Sequence, residues 1–387
     1  MRSDRIAAVL CVVLSAGCGS LGVSSSSFSR NGATPSERTP GGKYAVLHSF
    51  GAAGDGLQPE DKLIAAGSKL YGTTFGGGYY GSGAVFEISP SGSEKVIYSF
   101  GGTGDGANPY GSLLDVAGTF YGTTANGGAH GLGTVFSLTA GGKEKVIYSF
   151  DSTHGSMPRA GLIAVGKELY GTTESGGAKS DGTVFAVSTS GKERVLHSFG
   201  GKDGFGPYAS LAKVGSELYG TTVQGGAHND GTVFGVTTAG KEHVVYSFES
   251  SYDGANPMGA LIDVSGKLYG TASYGGRNND GDVFSVTTSG SEHTVYAFEG
   301  AYRGDSPECA LLLYKGKFYG TTGNGGYQYG TAFAVTAAGK FTELHAFGKG
   351  TDGQTPQAGL VLLSGKLYGT TAYGGANGAG TVFSLSP

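Results

Sequence analysis

Between residues 113 and 150 apolar and polar side chains alternate in four short bursts separated by small turn residues. The bursts are Leu113-Leu114-Asp115-Val116, Thr119-Phe120-Tyr121-Gly122-Thr123-Thr124, Gly133-Thr134-Val135-Phe136-Ser137-Leu138-Thr139 and Glu144-Lys145-Val146-Ile147-Tyr148-Ser149-Phe150. A period of two in runs rich in β-branched and aromatic residues predicts strands. Ala117-Gly118 and Gly141-Gly142 predict tight turns inside the first and second pairs. About fifty residues therefore specify one four-stranded antiparallel unit.

The unit recurs. The phrase containing Tyr71 returns at Tyr121, Tyr170, Tyr219, Tyr269, Tyr319 and Tyr368, with steps of 50, 49, 49, 50, 50 and 49 residues, the length of a propeller blade. A proline (Pro59, Pro109, Pro158, Pro207, Pro257, Pro307, Pro356) precedes each tyrosine by 12 residues, and the strand-three Phe precedes the strand-four Phe by 14, as in Phe136 to Phe150. All length variation falls in the connections from strand four to one and from strand two to three. In an up-and-down blade these lie on one face, which in propellers surrounds the mouth of the central channel, so function is expected there.

Lys43 to Phe50 matches strand four, and the chain ends on a copy of strand three, Gly380 to Pro387. The expected fold is all-β, a seven-bladed propeller of four-stranded antiparallel blades over residues 43–387, closed when 43–50 completes the last blade and removes the free edge. An open solenoid would need polar caps, which neither end carries. Tyr and Phe (23 and 20) are expected to fill the wedges between blades in a chain without Trp. Gly72 and its equivalents inside strand two are expected where a neighbouring blade's backbone or ring comes close.

The 76 glycines recur at set places and are turn punctuation rather than low complexity. A net charge of −4 leaves no electrostatic footprint for nucleic acid. Residues 1–17 have a basic start, an apolar core and small residues before Cys18, the pattern of an export signal. Ser15-Ala16-Gly17-Cys18 resembles a bacterial lipobox, with the usual Leu displaced to Leu14, which makes Cys18 the expected lipidation site and a membrane the expected partner. An ordinary signal-peptidase site would cut at the same bond. Residues 18–42, rich in Ser, Gly and Pro, read as a flexible tether. The expected location is the outer membrane or cell surface, otherwise the periplasm or medium, and the expected state is monomeric. Cys309 alone remains in the body, which excludes an internal disulfide there and a thiolate metal cluster.

Taken together, Leu-Tyr-Gly-Thr-Thr, Gly-Gly, Gly-Thr-Val-Phe, Tyr-Ser-Phe and Asp-Gly-x-x-Pro resemble the GloVer tandem repeat of bacterial surface proteins, over residues 43–387. The resemblance implies a propeller-type repeat and export, and brings no catalytic residues. Kelch repeats share the length and the Gly pair but carry a Trp that is missing here.

Candidate chemistry lies on the loop-rich face. Asp55, Asp105, Asp203, Asp253 and Asp352 recur in the strand-four-to-one loop, with His154 and Arg303 at that place in two repeats. They read as turn residues bonding nearby amides, or as a ring of carboxylates near the mouth that holds a cation or sugar hydroxyls. No repeat has the alternating oxygens of a calcium loop. The strand-two-to-three loops add His130, His228, Tyr274, Arg277, Tyr327, Tyr329 and Tyr373, a mixture suited to sugar contacts. His48, His197 and His345 occupy a slot that is Tyr in other repeats and read as packed rings. No catalytic, cofactor or metal constellation is evident in the spacing.

The first functional expectation is a non-enzymatic module binding glycan or protein. The alternatives are an extracellular lyase or hydrolase with its site at the channel mouth, and a purely structural surface protein. Symmetry discriminates: similar loops in many blades favour repeated weak binding, whereas odd residues converging from different blades favour a single site.

Overall fold

The computed structural model describes residues 43–300 and 303–387. The export signal, Cys18 and the tether lie outside the described residues. In the second blade Leu114–Val116 pairs with Thr119–Thr124, which pairs with Thr134–Thr139, which pairs with Glu144–Ser149. Seven such antiparallel four-stranded sheets form a β-propeller. The three-residue first strands are innermost: Ile64–Ala66 lies against both Val361–Leu363 and Leu114–Val116 of the adjoining blades. The ring closes as expected, with Tyr44–Ser49 pairing onto Thr381–Leu385 as the outer strand of the seventh blade.

Two features were not expected from the sequence. Strand four carries a bulge in every blade: Tyr98 faces Val85 and Val96 faces Phe86, so Ile97 is unpaired. On the loop-rich face the two variable connections also pair with each other, as in Gly106–Ala107 with Asn126–Gly127, or through single bridges such as Ser156 to Ser175.

Burial explains the repeated phrases. The strand-four Phe of one blade meets the strand-three Phe of the next edge-on in all seven wedges, from Phe50 on Phe86 at 5.0 Å to Phe347 on Phe383 at 5.0 Å. Each core cluster consequently spans two blades; one joins Tyr368 and Val382 to Leu63, Leu70 and Phe86. This geometry suits aromatic pairs and adds about 0.5–1.5 kcal/mol to each beyond area burial. The strand-two glycine has a different reason from the one expected. A Cβ on Gly72 would lie 2.7 Å from Cζ of Phe86 and 2.6 Å from Leu63, and Phe86 is its cross-strand partner within the same blade. Gly72→Ala is therefore expected to cost about 1–2 kcal/mol by overpacking, visible as a lower denaturant midpoint with an unchanged slope.

Candidate functional site

The two threonines that end strand two divide their work. The second bonds across its own sheet, as Thr124 Oγ1 does to Thr134 Oγ1 at 2.8 Å. In six blades the first reaches into the next blade: Thr123 Oγ1 donates to the Ala160 carbonyl at 2.9 Å, Thr172 to Ala209 at 3.2 Å and Thr321 to Ala358 at 2.8 Å, whereas Thr221 Oγ1 is buried without a partner. In those six the accepting carbonyl belongs to the segment just after the repeat proline, so the first threonine of the phrase holds the neighbouring blade's mouth segment in place.

That segment is fixed from three other sides. The proline sits on the glycine that opens strand three of the preceding blade; a Cβ on Gly133, whose φ is +102°, would meet Pro158 Cδ at 2.6 Å. The residue before the proline is left-handed in every blade, including Met157 (φ 52°) and Thr355 (φ 56°), where a side chain is strained. Its amide bonds to the preceding blade, as Met157 N does to Leu132 O at 3.0 Å. The buried leucine four residues past the proline, Leu162 in the third blade, anchors the far end.

The residue directly after each proline is thereby directed to the axis. Glu60, Tyr110, Arg159, Tyr208, Met258, Glu308 and Gln357, one from each blade, line a single pocket of about 290 Å³ at the channel mouth, together with Asp61, Lys62 and small residues of the other blades such as Ser112, Gly161 and Ser210. Arg159 lies between two rings, its guanidinium 5.3 Å from the centroids of both Tyr110 and Tyr208. It pairs with Glu174 at 2.6 Å, which also accepts from the Tyr208 hydroxyl at 2.7 Å. Across the pocket Gln357 Nε2 donates to Glu308 at 2.8 Å.

Burial dominates the electrostatics. It pushes the Glu60 carboxyl up to about 7, against the opposing pull of Arg159 and of a hydrogen bond from Tyr110. It raises Asp61 to about 6, offset by the Lys62 and Ser112 amides, and it raises Glu308 while depressing Lys62. The Cys309 thiol at the wall is fully buried and raised, and so is not a poised nucleophile. No histidine lines the pocket. With its acids pushed towards the neutral form and two cations among them, the pocket has no dominant charge and suits a hydroxyl-rich ligand with ring stacking on Tyr.

The loop-rich face is thus where the pocket opens, but the residues singled out in the sequence stand elsewhere on it. The loop aspartates turn outward to strand four. Asp55 bonds the Gly56 amide at 2.7 Å and His48 at 3.0 Å, Asp105 the Gly106 amide and the Tyr98 hydroxyl at 2.9 Å, Asp203 His197 at 2.8 Å and Asp352 His345 at 2.9 Å. Asp253 pairs with Tyr246. They form no carboxylate ring at the mouth, and none lines the axial pocket. His154 bonds Asp151 at 2.8 Å, and Arg303 pairs with Glu299 at 3.4 Å. His130, His228, Arg277, Tyr274, Tyr327, Tyr329 and Tyr373 are exposed at the loop tips of five blades, Tyr274 with Arg277 on one loop and Tyr327 with Tyr329 on another. The axial residues were missed because each is unremarkable within its own repeat. The available signal was their divergence: one position, between a proline and a leucine common to all seven repeats, carries five residue types.

Among solved structures the chain is similar to a puromycin hydrolase mutant complexed with PGG (TM-score 0.54, 13% identity, 81% of this chain and 50% of that one). It is also similar to a Mycobacterium tuberculosis puromycin-hydrolyzing peptidase (TM-score 0.52, 12% identity, 80% and 48%). A protein described as a putative gluconolactonase aligns more loosely (TM-score 0.44, 12% identity, 90% and 93%). The chain spans about half the length of the puromycin hydrolases, and at such identities the likeness is one of fold. No curated protein matches the sequence. The model of the Gloeobacter/Verrucomicrobia repeat matches residues 20–173, 140–326 and 238–387, and the chain belongs to that family.

Proposed function

We propose that this protein is a non-enzymatic binding module of the cell surface, tethered through Cys18, whose axial pocket takes the end group of a neutral, hydroxyl-rich glycan. The observation that carries this reading is the convergence of seven side chains of five types on one point of a ring whose other positions are closely repeated. Such convergence is what a single site needs and what repeated weak binding around the rim does not. The pocket's volume sits at the low end of the roughly 300–1,000 Å³ of ligand pockets, a fit for a monosaccharide-sized group. Tyr110 and Tyr208 supply apolar faces, and Glu60, Glu308 and Gln357 supply partners for hydroxyls.

The test is a glycan array probed with the full chain, with and without calcium, followed by titration of the best hit. Tyr110→Ala and Gln357→Ala are expected to weaken binding tenfold or more, about 1.4 kcal/mol, while Tyr79→Ala at a loop tip leaves it unchanged. Loss with Tyr79→Ala and Tyr274→Ala but not with the axial variants would move the site to the rim.

One observation favours a second reading. Glu60, held near 7 beside a second buried acid, Glu308, has the protonation balance of a general acid at neutral pH. A hydrolase acting on the same ligand would lose turnover in Glu60→Gln while still binding it.

A further inference from the structure

On the outer rim three positions meet at each junction between blades: the strand-four ring two residues before the Phe, the loop aspartate, and the first residue of strand four in the following blade. At two junctions these are His48, Asp55 and Glu94, and His197, Asp203 and Glu242, and in both the nitrogen and carboxylate oxygens lie within 4.8 Å of one another. His197 Nε2 is 2.8 Å from Asp203 and 3.9 Å from Glu242; His48 Nε2 is 3.0 Å from Asp55.

The third carboxylate faces the imidazole only through a longer electrostatic contact. The Glu242 side chain is only 10% exposed, and its buried Oε1, like that of Glu94, has no hydrogen bond. One Nε2–H can serve one carboxylate, and the aspartate takes it. Glu144, Glu193 and Glu292 have a buried Oε1 that is likewise without a hydrogen bond, but at their junctions the ring slot holds Tyr98, Tyr148 and Tyr246 instead of histidine. At the third histidine the chain lacks the acid altogether: Tyr44 replaces it and stacks on His345 at 3.7 Å. The buried acid thus recurs at five junctions, and among the described residues it shares a three-ligand cluster only with His48 and with His197.

We propose that the His48–Asp55–Glu94 and His197–Asp203–Glu242 clusters are two divalent-metal sites, each taking one zinc ion with water in the remaining position. One imidazole and two carboxylates form a donor set for zinc. Tetrahedral ligands at about 2.0–2.2 Å stand roughly 3.4 Å apart, a spacing bracketed by the 2.8 and 3.9 Å separations at His197.

The test is calorimetric titration of the full chain with Zn²⁺, with metal content measured after dialysis. Two ions per chain are expected. His197→Tyr, which installs the residue other repeats carry, and Glu94→Gln should each remove one ion, and the double variant both. His345→Tyr should remove none. Absence of stoichiometric zinc at micromolar concentration, or two ions retained by the double variant with its melting curve intact, would overturn the proposal.

Discussion

A chain that lacks residues 43–50 is expected to lose its cooperative thermal transition rather than melt a few degrees lower. The segment is the outer strand of the last blade, paired with Thr381–Leu385 along its length, and Phe50 is fully buried against Phe86 of the first blade. Its removal bares the edge of strand three and opens the wedge between the first and seventh blades where the ring closes. Phe50→Ala alone should cost about 3–5 kcal/mol by the deleted ring and its cavity. Scanning calorimetry of the full chain, the deletion and Phe50→Ala gives the comparison. A deletion variant that melts sharply near the parent temperature would mean that the first and last blades are held by other contacts.

The second large effect concerns an acid where the repeat wants a hydroxyl. Five blades tie strands two and three with a threonine pair, at 2.8 Å in Thr371 to Thr381 and 2.9 Å in Thr322 to Thr331. The fifth blade has Ala272 and Asp282 in these places. Asp282 is fully buried, and neither oxygen has a well-formed hydrogen bond. Burial, and then the neighbouring Glu292 and Asp253, raise its pKa well above the ordinary carboxylate range, with only slight relief from the Gly254 amide.

The folded chain thus keeps a proton that the unfolded chain releases above about pH 4. Stability from this position is present below that pH and lost as pH rises from there towards the folded pKa. Restoring the pair with Ala272→Thr and Asp282→Thr is expected to stabilise the protein at pH 8 by about 2–3 kcal/mol, and by clearly less at pH 4. Denaturant midpoints at the two pH values decide it. An equal gain at both would assign the effect to packing instead of ionisation.

The repeat phrases are short-range chemistry, and most of their meaning is legible one blade at a time. Alternation marks the strands, glycine the turns, and the matching ends at 43–50 and 380–387 mark the closure. The strand-two glycine was legible as a close approach but not as to its partner, because Phe86 and a ring from the next blade are equally compatible with a missing Cβ. The loop aspartates were legible as turn residues. Their second bond, to a strand-four ring, depends on a strand-four bulge that no local pattern announces.

The candidate site was harder to read for a physical reason. Glu60, Tyr110, Arg159 and Gln357 are separated by about fifty to three hundred residues, and each follows a proline in a loop. What unites them is the radial arrangement of the blades: strand one is innermost, so whatever precedes it points at the axis. The same holds at the rim, where Glu242 meets His197 only because one blade's outer strand packs on its neighbour's. The sequence by itself determined the blade, the number of blades and how the ring closes, since these rest on local periodicity and on matching ends. Which side chains share a pocket, and which acids are left without partners, only the tertiary structure decided, because burial and convergence are properties of the closed ring and of no single repeat.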